Sequence, residues 1–182
     1  MTITRSFRIS FLSCALLLAA LAGFPAGSAA HPQSPPSAPC SASEYHQFDF
    51  WIGDWDAFDF GSTEKNAHLA VDRILAGCVL REDYRGADGH QGQSFSLYDA
   101  SRKVWHQTWV TNRGELLIIE GHFAAGEMVL SGSDLTPSGQ LRMVRGTWKP
   151  VAGGVRETAL TSLDAGKTWK PWFDILFRPH QP

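Results

Sequence analysis

The chain has 182 residues, and its 16 Lys and Arg against 18 Asp and Glu give a formal net charge of −2 at pH 7. This weakly acidic balance argues against nucleic acid or an anionic membrane surface as the partner. Seven Trp and eleven Phe need a core or a lined pocket that shields them from water.

The N-terminus has the composition of a secretory signal peptide. Arg5 and Arg8 precede an apolar run over residues 11–24, and small residues lead up to Ala30. The run is too short to cross a membrane, and its arrangement is typical of a signal cleaved after Ala30. We therefore predict a signal peptide over residues 1–30, a periplasmic or secreted protein, and no membrane span.

Two cysteines follow the predicted signal. Residues 31–42 form a Pro/Ser-rich leader that contains Cys40, and Cys78 lies further along the chain. An even pair in an exported protein predicts a disulfide, with two buried free thiols as the alternative. The bond would close a loop of about 38 residues and add about 3–4 kcal/mol of stability.

One aromatic stretch marks the start of the folded domain. Residues 48–56 contain four aromatic side chains and Gly53. Residues 43–48 before it are compatible with one short helical turn. We expect Gly53 to make a bend at which a barrel wall begins, and Trp55 to close one end of that barrel.

Beyond Gly53 the chain alternates short runs rich in Val, Leu, Phe, Trp and Thr with Gly, Asn and Asp turn signals. This regular spacing predicts an all-β, up-and-down antiparallel meander. The ten predicted strands are 54–60, 66–75, 78–86, 92–99, 104–111, 115–123, 127–134, 140–149, 154–162 and 168–178. With few devices that protect sheet edges, roughly ten strands should close into a barrel.

The predicted barrel forms a single domain over residues 43–182. A closed sheet of this size is wider than its own side chains can fill. A cavity should therefore open at the end away from Trp55.

Side-chain alternation selects the residues that could line this cavity. Trp105, Gln107 and Trp109 share one face of a strand, and two indoles around an amide suit an apolar ligand. Filling of the core by the same three residues is the alternative. Glu82 and Tyr84 share a face of another strand and are also predicted to contact the ligand.

Glu120 and His122 also share a face. If both point inward they form an acid/base pair, whereas at a solvated position they have no such role. Charged side chains later in the chain predict either a buried ion pair or solvated cross-strand pairs: Arg142, Arg145, Arg156 and Glu157. The seven histidines show no close ligand spacing and no Gly-rich phosphate loop occurs, so we predict no metal and no cofactor.

Residues 162–169 match an Asp-box pattern, Ser-x-Asp-x-Gly-x-Thr-Trp. Asp164 is expected to accept backbone N–H groups, Gly166 to take a positive φ, and Trp169 to pack on the turn. A single copy without a blade-length repeat indicates a structural hairpin and not a glycosidase propeller.

Two resemblances follow from these motifs. Gly53-Asp54-Trp55 resembles the Gly-x-Trp of the lipocalin/calycin superfamily, in which an Arg near the end of the last strand stacks on the Trp. The resemblance assigns that role to Arg178.

More closely, the chain resembles the DUF1579-like family of bacterial exported proteins. The resembling segments are Phe48–Trp55, Gly77-Cys78-Val79-Leu80 with Glu82, Trp105-x-Gln107-x-Trp109, and the 162–169 hairpin. The resemblance implies a calycin-like barrel and provides no established activity to transfer.

Our leading hypothesis is an exported lipocalin-like protein that binds a small, largely apolar molecule in the barrel. One alternative is a calycin-type isomerase or hydrolase, with acid/base residues drawn from Glu82, Glu120, His122 and Asp174. The other is a non-catalytic interaction protein with a solid barrel. If Arg178 points inward, Phe173, Ile175 and Phe177 form an outward stripe unless a bulge reverses the facing. Such a stripe suggests a homodimer interface or cover by the N-terminal leader.

Overall fold

The structure is a computed structural model that describes residues 38–181. The predicted signal peptide and the leader residues 31–37 lie outside these described residues. Among the residues described, no helix combines the length and the apolar character needed to cross a membrane.

Ten strands form where hydrophobic alternation predicts them, and their ends differ from the predicted ends by at most two residues. They are β1 (Gly53–Asp59), β2 (Lys65–Ile74), β3 (Val79–Gly86), β4 (Gln91–Asp99), β5 (Val104–Thr111), β6 (Leu116–Ala124), β7 (Glu127–Leu135), β8 (Leu141–Val151), β9 (Gly154–Ser162) and β10 (Lys170–Pro179).

The strands close into one antiparallel barrel. Each strand pairs with the next in sequence, and β1 pairs with β10 to complete the ring. The predicted all-β, ten-stranded antiparallel barrel is therefore confirmed. Closure leaves every strand with two neighbours and removes the unpaired edges that an open sheet would present.

The segment before β1 closes one end of the barrel. It forms two short 3₁₀ turns, Ser43–His46 and Asp49–Trp51, in agreement with the predicted helical turn, and a third turn, Leu75–Gly77, connects β2 to β3. Phe48 is 0% exposed, and its ring lies 5.7 Å from that of Trp105 and 5.6 Å from that of Trp148. We call this end the floor; its main side chains are Phe48, Trp51, Trp105, Met128, Trp148 and Phe177.

The predicted disulfide between Cys40 and Cys78 is present, with their Cα atoms 5.2 Å apart. It joins the leader to the segment that enters β3. Arg73 adds a second attachment beside it by donating to the backbone carbonyl of Tyr45 at 2.9 Å and to the carboxylate of Asp49. Together these contacts hold the floor segment against the barrel wall.

Trp55 points into the barrel just above the floor. It is 8% exposed, and its indole N–H donates to the backbone carbonyl of Trp51 at 3.0 Å. The ring lies over Gly53, where an added Cβ would be only 2.6 Å from indole carbons. Glycine at position 53 therefore makes room for the indole.

Arg178 does not stack on Trp55. Its partner across the β1–β10 pair is Asp56 on the outer face, and its guanidinium carbon lies 4.7 Å from the ring centre of Phe58. The stacking implied by the lipocalin resemblance is wrong for this chain, because Arg178 follows the inward-facing Phe177 and so points outward.

The side-chain facing of β10 also overturns the predicted outward stripe. A register shift lies between Pro171 and Phe173. From there Phe173, Ile175 and Phe177 occupy the inner face, and Phe177 is 2% exposed. The stripe on which a homodimer interface was predicted therefore belongs to the barrel interior.

The Asp-box forms the β9–β10 hairpin at the end opposite the floor. Asp164 accepts hydrogen bonds from the backbone N–H of Thr168 at 2.9 Å and from its hydroxyl at 2.6 Å. Gly166 has φ of +84°, and the Trp169 indole donates to the Gly166 carbonyl at 3.1 Å. These bonds give the box a turn-forming role.

The floor predicts a large effect for Trp51→Ala. Trp51 is 1% exposed, so its loss leaves a cavity and should reduce the free energy of unfolding by about 3–5 kcal/mol. Urea titration followed by circular dichroism measures this change. Leu75→Ala is the control, because Leu75 is 71% exposed and should cost less than about 0.5 kcal/mol. Equal, small effects for both variants would contradict a packed floor.

Candidate functional site

The barrel interior is tightly packed at the floor and less completely buried above it. Floor residues such as Phe48 and Met128 are 0% exposed. On the same inner face further up, Tyr84, Trp109 and Phe173 are only half-buried. We call this region the upper lumen.

A depression of about 310 Å³ lies near the ends of β3, β4 and β5, and its lining includes Tyr84 and Gly92. Several of its polar side chains bond to each other: Asp83 accepts from Arg85 at 3.2 Å and from Gln93 at 3.3 Å.

Glu82 projects into the lumen from β3. The register places it beside Ser94 of β4, which in turn lies beside Trp109 of β5. The buried Ser94 hydroxyl donates to Glu82 Oε2 at 2.8 Å. Within residues 38–181 this is the one side-chain hydrogen bond to Glu82, and no cation pairs with its carboxylate.

The surroundings of Glu82 favour its neutral form. Burial raises the pKa of its carboxyl to about 7, against the opposing effect of the Ser94 hydrogen bond and with a smaller contribution from the charge of Asp83. Glu82 nevertheless keeps accessible surface. The Glu82 carboxyl group is therefore desolvated by the protein while part of its residue surface stays accessible.

A second carboxyl group enters the lumen from β9. Glu157 is the cross-strand partner of Trp148 on β8 and of Ile175 on β10. Both of these side chains lie on the inner face, so Glu157 lies there too. Burial, followed by the charge of Glu82, raises the pKa of Glu157 well above its ordinary value. The two acids therefore act on each other across the lumen, and in the described part of the chain neither has an ion-pair partner.

Trp148 places an indole N–H beside Glu157. Its ring is 4% exposed and covers Gly146, where a Cβ would be 2.8 Å from the indole. A hydrogen bond from this N–H lowers the pKa of Glu157 and opposes the effect of burial. The indole therefore stabilises the charged form of the carboxyl group beside it.

Aromatic side chains surround the mouth of the upper lumen on one side. The ring centres of Tyr84 and Trp109 are 5.8 Å apart, and those of His90 and Trp109 are 6.3 Å apart, in edge-to-face geometry. The Trp109 indole lies over Gly92, where a Cβ would approach to 2.4 Å. Glycine at 92 therefore lets the indole lie flat against the wall.

An ion pair lies at the opposite side of the mouth. Arg142 of β8 donates to Asp134 of β7 at 2.8 Å, and its guanidinium carbon is 4.3 Å from the ring centre of Trp172. Asp134 and Arg142 are cross-strand partners. They lie on the inner face of the barrel, which also carries the buried Val144. Of the predicted charged cluster, Arg142 is thus paired near the lumen and Arg156 is paired with Asp174 on the outer face.

The structure separates the three residues predicted to form one pocket wall. Trp105 belongs to the floor: it is 2% exposed, and its indole donates to Gln47 Oε1 at 3.1 Å. Gln107 is 5% exposed and donates to Ser96 Oγ at 2.9 Å. Trp109 alone borders the upper lumen, so the core-filling alternative describes Trp105 and Gln107.

Glu120 and His122 face outward, so the acid/base pair expected if both pointed inward does not form in the lumen, and the solvated alternative describes them. Neighbouring Ile119 and Gly121 take the inner positions of β6. Glu120 accepts from Arg102 at 2.8 Å and from His106 at 2.9 Å, while His122 is exposed. The pKa of Glu120 falls to about 2, mainly through Arg102.

Asp174 also lies outside the lumen, paired with Arg156. The acid/base set predicted for a calycin-type enzyme is therefore not assembled. Glu82 is the one member of that set that faces the lumen. The charged group that interacts with it there is the carboxyl group of Glu157, which was not in the set.

Histidine spacing predicts no metal site, yet the fold brings three possible ligands together on the outer wall. Asp56, His68 and His180 have donor atoms within 4.8 Å of one another. They come from β1, β2 and the segment after β10. His68 lies 12 residues from Asp56 and His180 lies 124 residues from it, so no local motif could show the cluster.

No protein-family model matches the chain, and a comparison with curated proteins finds no match. The resemblance to the DUF1579-like family therefore stays a prediction. Functional inference depends on the geometry of the barrel itself.

The raised pKa of Glu82 predicts pH-dependent stability. The unfolded chain loses this proton near pH 4.5 and the folded chain near pH 7, so ionisation lowers stability between these values and the loss levels off above pH 7. The Glu82→Gln substitution removes the titrating group and therefore the loss of stability that its ionisation causes. The variant should match wild type at pH 4 and exceed it by up to about 3 kcal/mol at pH 8.

Urea unfolding at both pH values measures this difference, with Glu64→Gln as the control. Glu64 is an exposed glutamate between β1 and β2, so its substitution should leave the pH dependence of stability unchanged. A Glu82→Gln variant that is equally destabilised at both pH values would contradict a neutral, desolvated Glu82.

Proposed function

We propose that this barrel binds a small molecule in its upper lumen. The apolar body of the molecule lies against Trp109, Tyr84 and Phe173. A hydrogen-bond-donating or positively charged end lies between Glu82 and Glu157. The observation that supports this proposal most strongly is that the carboxyl groups of Glu82 and Glu157 both face the barrel interior, and neither has a cationic partner among the described residues.

The energetics of the acid pair favour such a ligand. A desolvated carboxylate without a partner is costly, and two of them near each other are more so. An ammonium or hydroxyl group placed between them supplies the missing partner. Aromatic faces beside the acids add cation–π attraction for a charged end and apolar contact for the rest of the ligand.

The acid pair refines the ligand expected from sequence. Sequence alone predicts a largely apolar molecule, and the half-buried aromatic wall remains consistent with that part. Glu82 and Glu157 add a requirement for a polar end that donates hydrogen bonds. An amphipathic amine satisfies both requirements, because one part is apolar and the other is cationic.

Export is part of the proposal. The predicted signal peptide and the Cys40–Cys78 disulfide support a periplasmic or secreted protein, since disulfides persist in oxidising compartments. The ligand is then expected to be a molecule that is present outside the cytoplasm.

Three probes of matched size test the proposal: 2-phenylethylamine, 2-phenylethanol and 3-phenylpropionate. Tryptophan fluorescence and calorimetry at pH 8 should show saturable binding of the amine, about tenfold or more tighter than the alcohol and tighter still than the acid. Amine affinity should fall from pH 8 to pH 5. The cause is that Glu82, with a pKa of about 7, takes up a proton and loses its charge.

Matched variants locate the binding. Glu82→Gln should weaken amine binding about tenfold and flatten its pH dependence, while Glu64→Gln, at an exposed glutamate between β1 and β2, leaves both unchanged. Absence of saturable binding of all three probes to folded protein would overturn the proposal. Equal amine binding by wild type and Glu82→Gln would also overturn it.

A further inference from the structure

The outer wall carries a second group of polar side chains where the barrel closes. Asp56 of β1 and His68 of β2 are direct cross-strand partners. His180 follows β10, and its backbone N–H donates to the carbonyl of Asp54 at 2.8 Å. Three separate parts of the chain therefore hold these side chains in place, independently of the lumen.

Their donor atoms converge on one point. His180 Nδ1 lies 2.9 Å from Asp56 Oδ1, and His68 Nδ1 lies 3.4 Å from the same oxygen. In a tetrahedral zinc site with ligand bonds near 2.1 Å, neighbouring ligand atoms are about 3.4 Å apart. Two imidazole nitrogens and one carboxylate oxygen also form a donor set that suits zinc, nickel and copper.

The surroundings orient His68 as they do in known metal centres. Its other ring nitrogen, Nε2, lies 3.2 Å from Asp54 Oδ1. A carboxylate that accepts from the second nitrogen of a histidine fixes the ring and leaves the first nitrogen free to bind a metal. Asp54 on β1 thus directs Nδ1 of His68 toward Asp56.

Access from solvent completes the site. The side chain of Asp56 is 12% exposed, whereas the side chains of His68 and His180 are 36% and 29% exposed. The anchoring carboxylate is therefore held within the wall and the imidazoles border solvent, which leaves room for water as a further ligand. Lys65 Nζ lies 3.4 Å from the same Asp56 oxygen and competes with a cation there, but its side chain is half-exposed and free to turn away.

We propose that Asp56, His68 and His180 bind one divalent transition-metal ion, with zinc as the best match. The ion links β1, β2 and the C-terminal segment across the place where the barrel closes. This site is separate from the lumen and does not depend on the proposed ligand.

The test uses the whole protein, stripped with a chelator and titrated with ZnCl₂ by calorimetry. A single saturable site and a raised thermal midpoint are expected, since an ion that binds only the folded state stabilises it. His68→Ala and His180→Ala should each weaken zinc binding by about tenfold or more. Lys65→Met should strengthen it. His122→Ala is the matched control, because His122 is an exposed histidine on β6.

Cobalt(II) provides a readout that fold stability does not affect. Its visible absorption reports ligation, and that spectrum should change in His180→Ala while circular dichroism shows an intact barrel. Wild-type protein that binds no zinc would overturn the proposal. Binding that His68→Ala and His180→Ala both retain would also overturn it, since the ion would then be held elsewhere.

Discussion

Pairing of the first strand with the last is the constraint on which the rest of the structure depends. Once β1 and β10 are joined, every strand has two neighbours, and alternate residues of each strand must point into the lumen. A displacement of one residue in one strand exchanges its inner and outer side chains. The register shift in β10 near Pro171 therefore decides that Phe173, Ile175 and Phe177 fill the interior and that Arg178 lies outside.

Glycine and tryptophan pairs occur both in the fully packed part of the interior and in its less buried part. Three inward indoles each lie over a glycine on the same face: Trp55 over Gly53, Trp109 over Gly92 and Trp148 over Gly146. Each glycine lets a large ring lie flat along the wall. The indoles of Trp55 and Trp148 join Phe48 and Trp51 in the packed core near the floor. The Trp109 indole lies at the mouth and is only half-buried.

The fold was predictable from sequence because turn residues and alternation repeat along the whole chain. The disulfide was predictable because Cys40 and Cys78 form the one pair left after the signal. The facing of individual strands was not, since it depends on bulges that leave no clear pattern. For this reason the sequence left the facing of Glu120 and His122 open, and Arg178 was assigned to Trp55 by analogy. The sequence also left Glu157 open between a buried ion pair and a solvated cross-strand pair, although its alternation with Val155 and Ala159 could have indicated the inner face.

The central claim is that Glu82 and Glu157 are desolvated carboxyl groups facing one accessible space. Carbon-13 NMR of protein labelled at the glutamate side-chain carboxyl carbon measures this directly, with Glu82→Gln to assign one signal. The Glu82 carboxyl should titrate with a midpoint near 7, and that of Glu157 should lie well above the ordinary glutamate value of about 4.3. Midpoints of both groups at the ordinary value would contradict the claim, because the acids would then be solvated and the lumen would lack the site proposed for it.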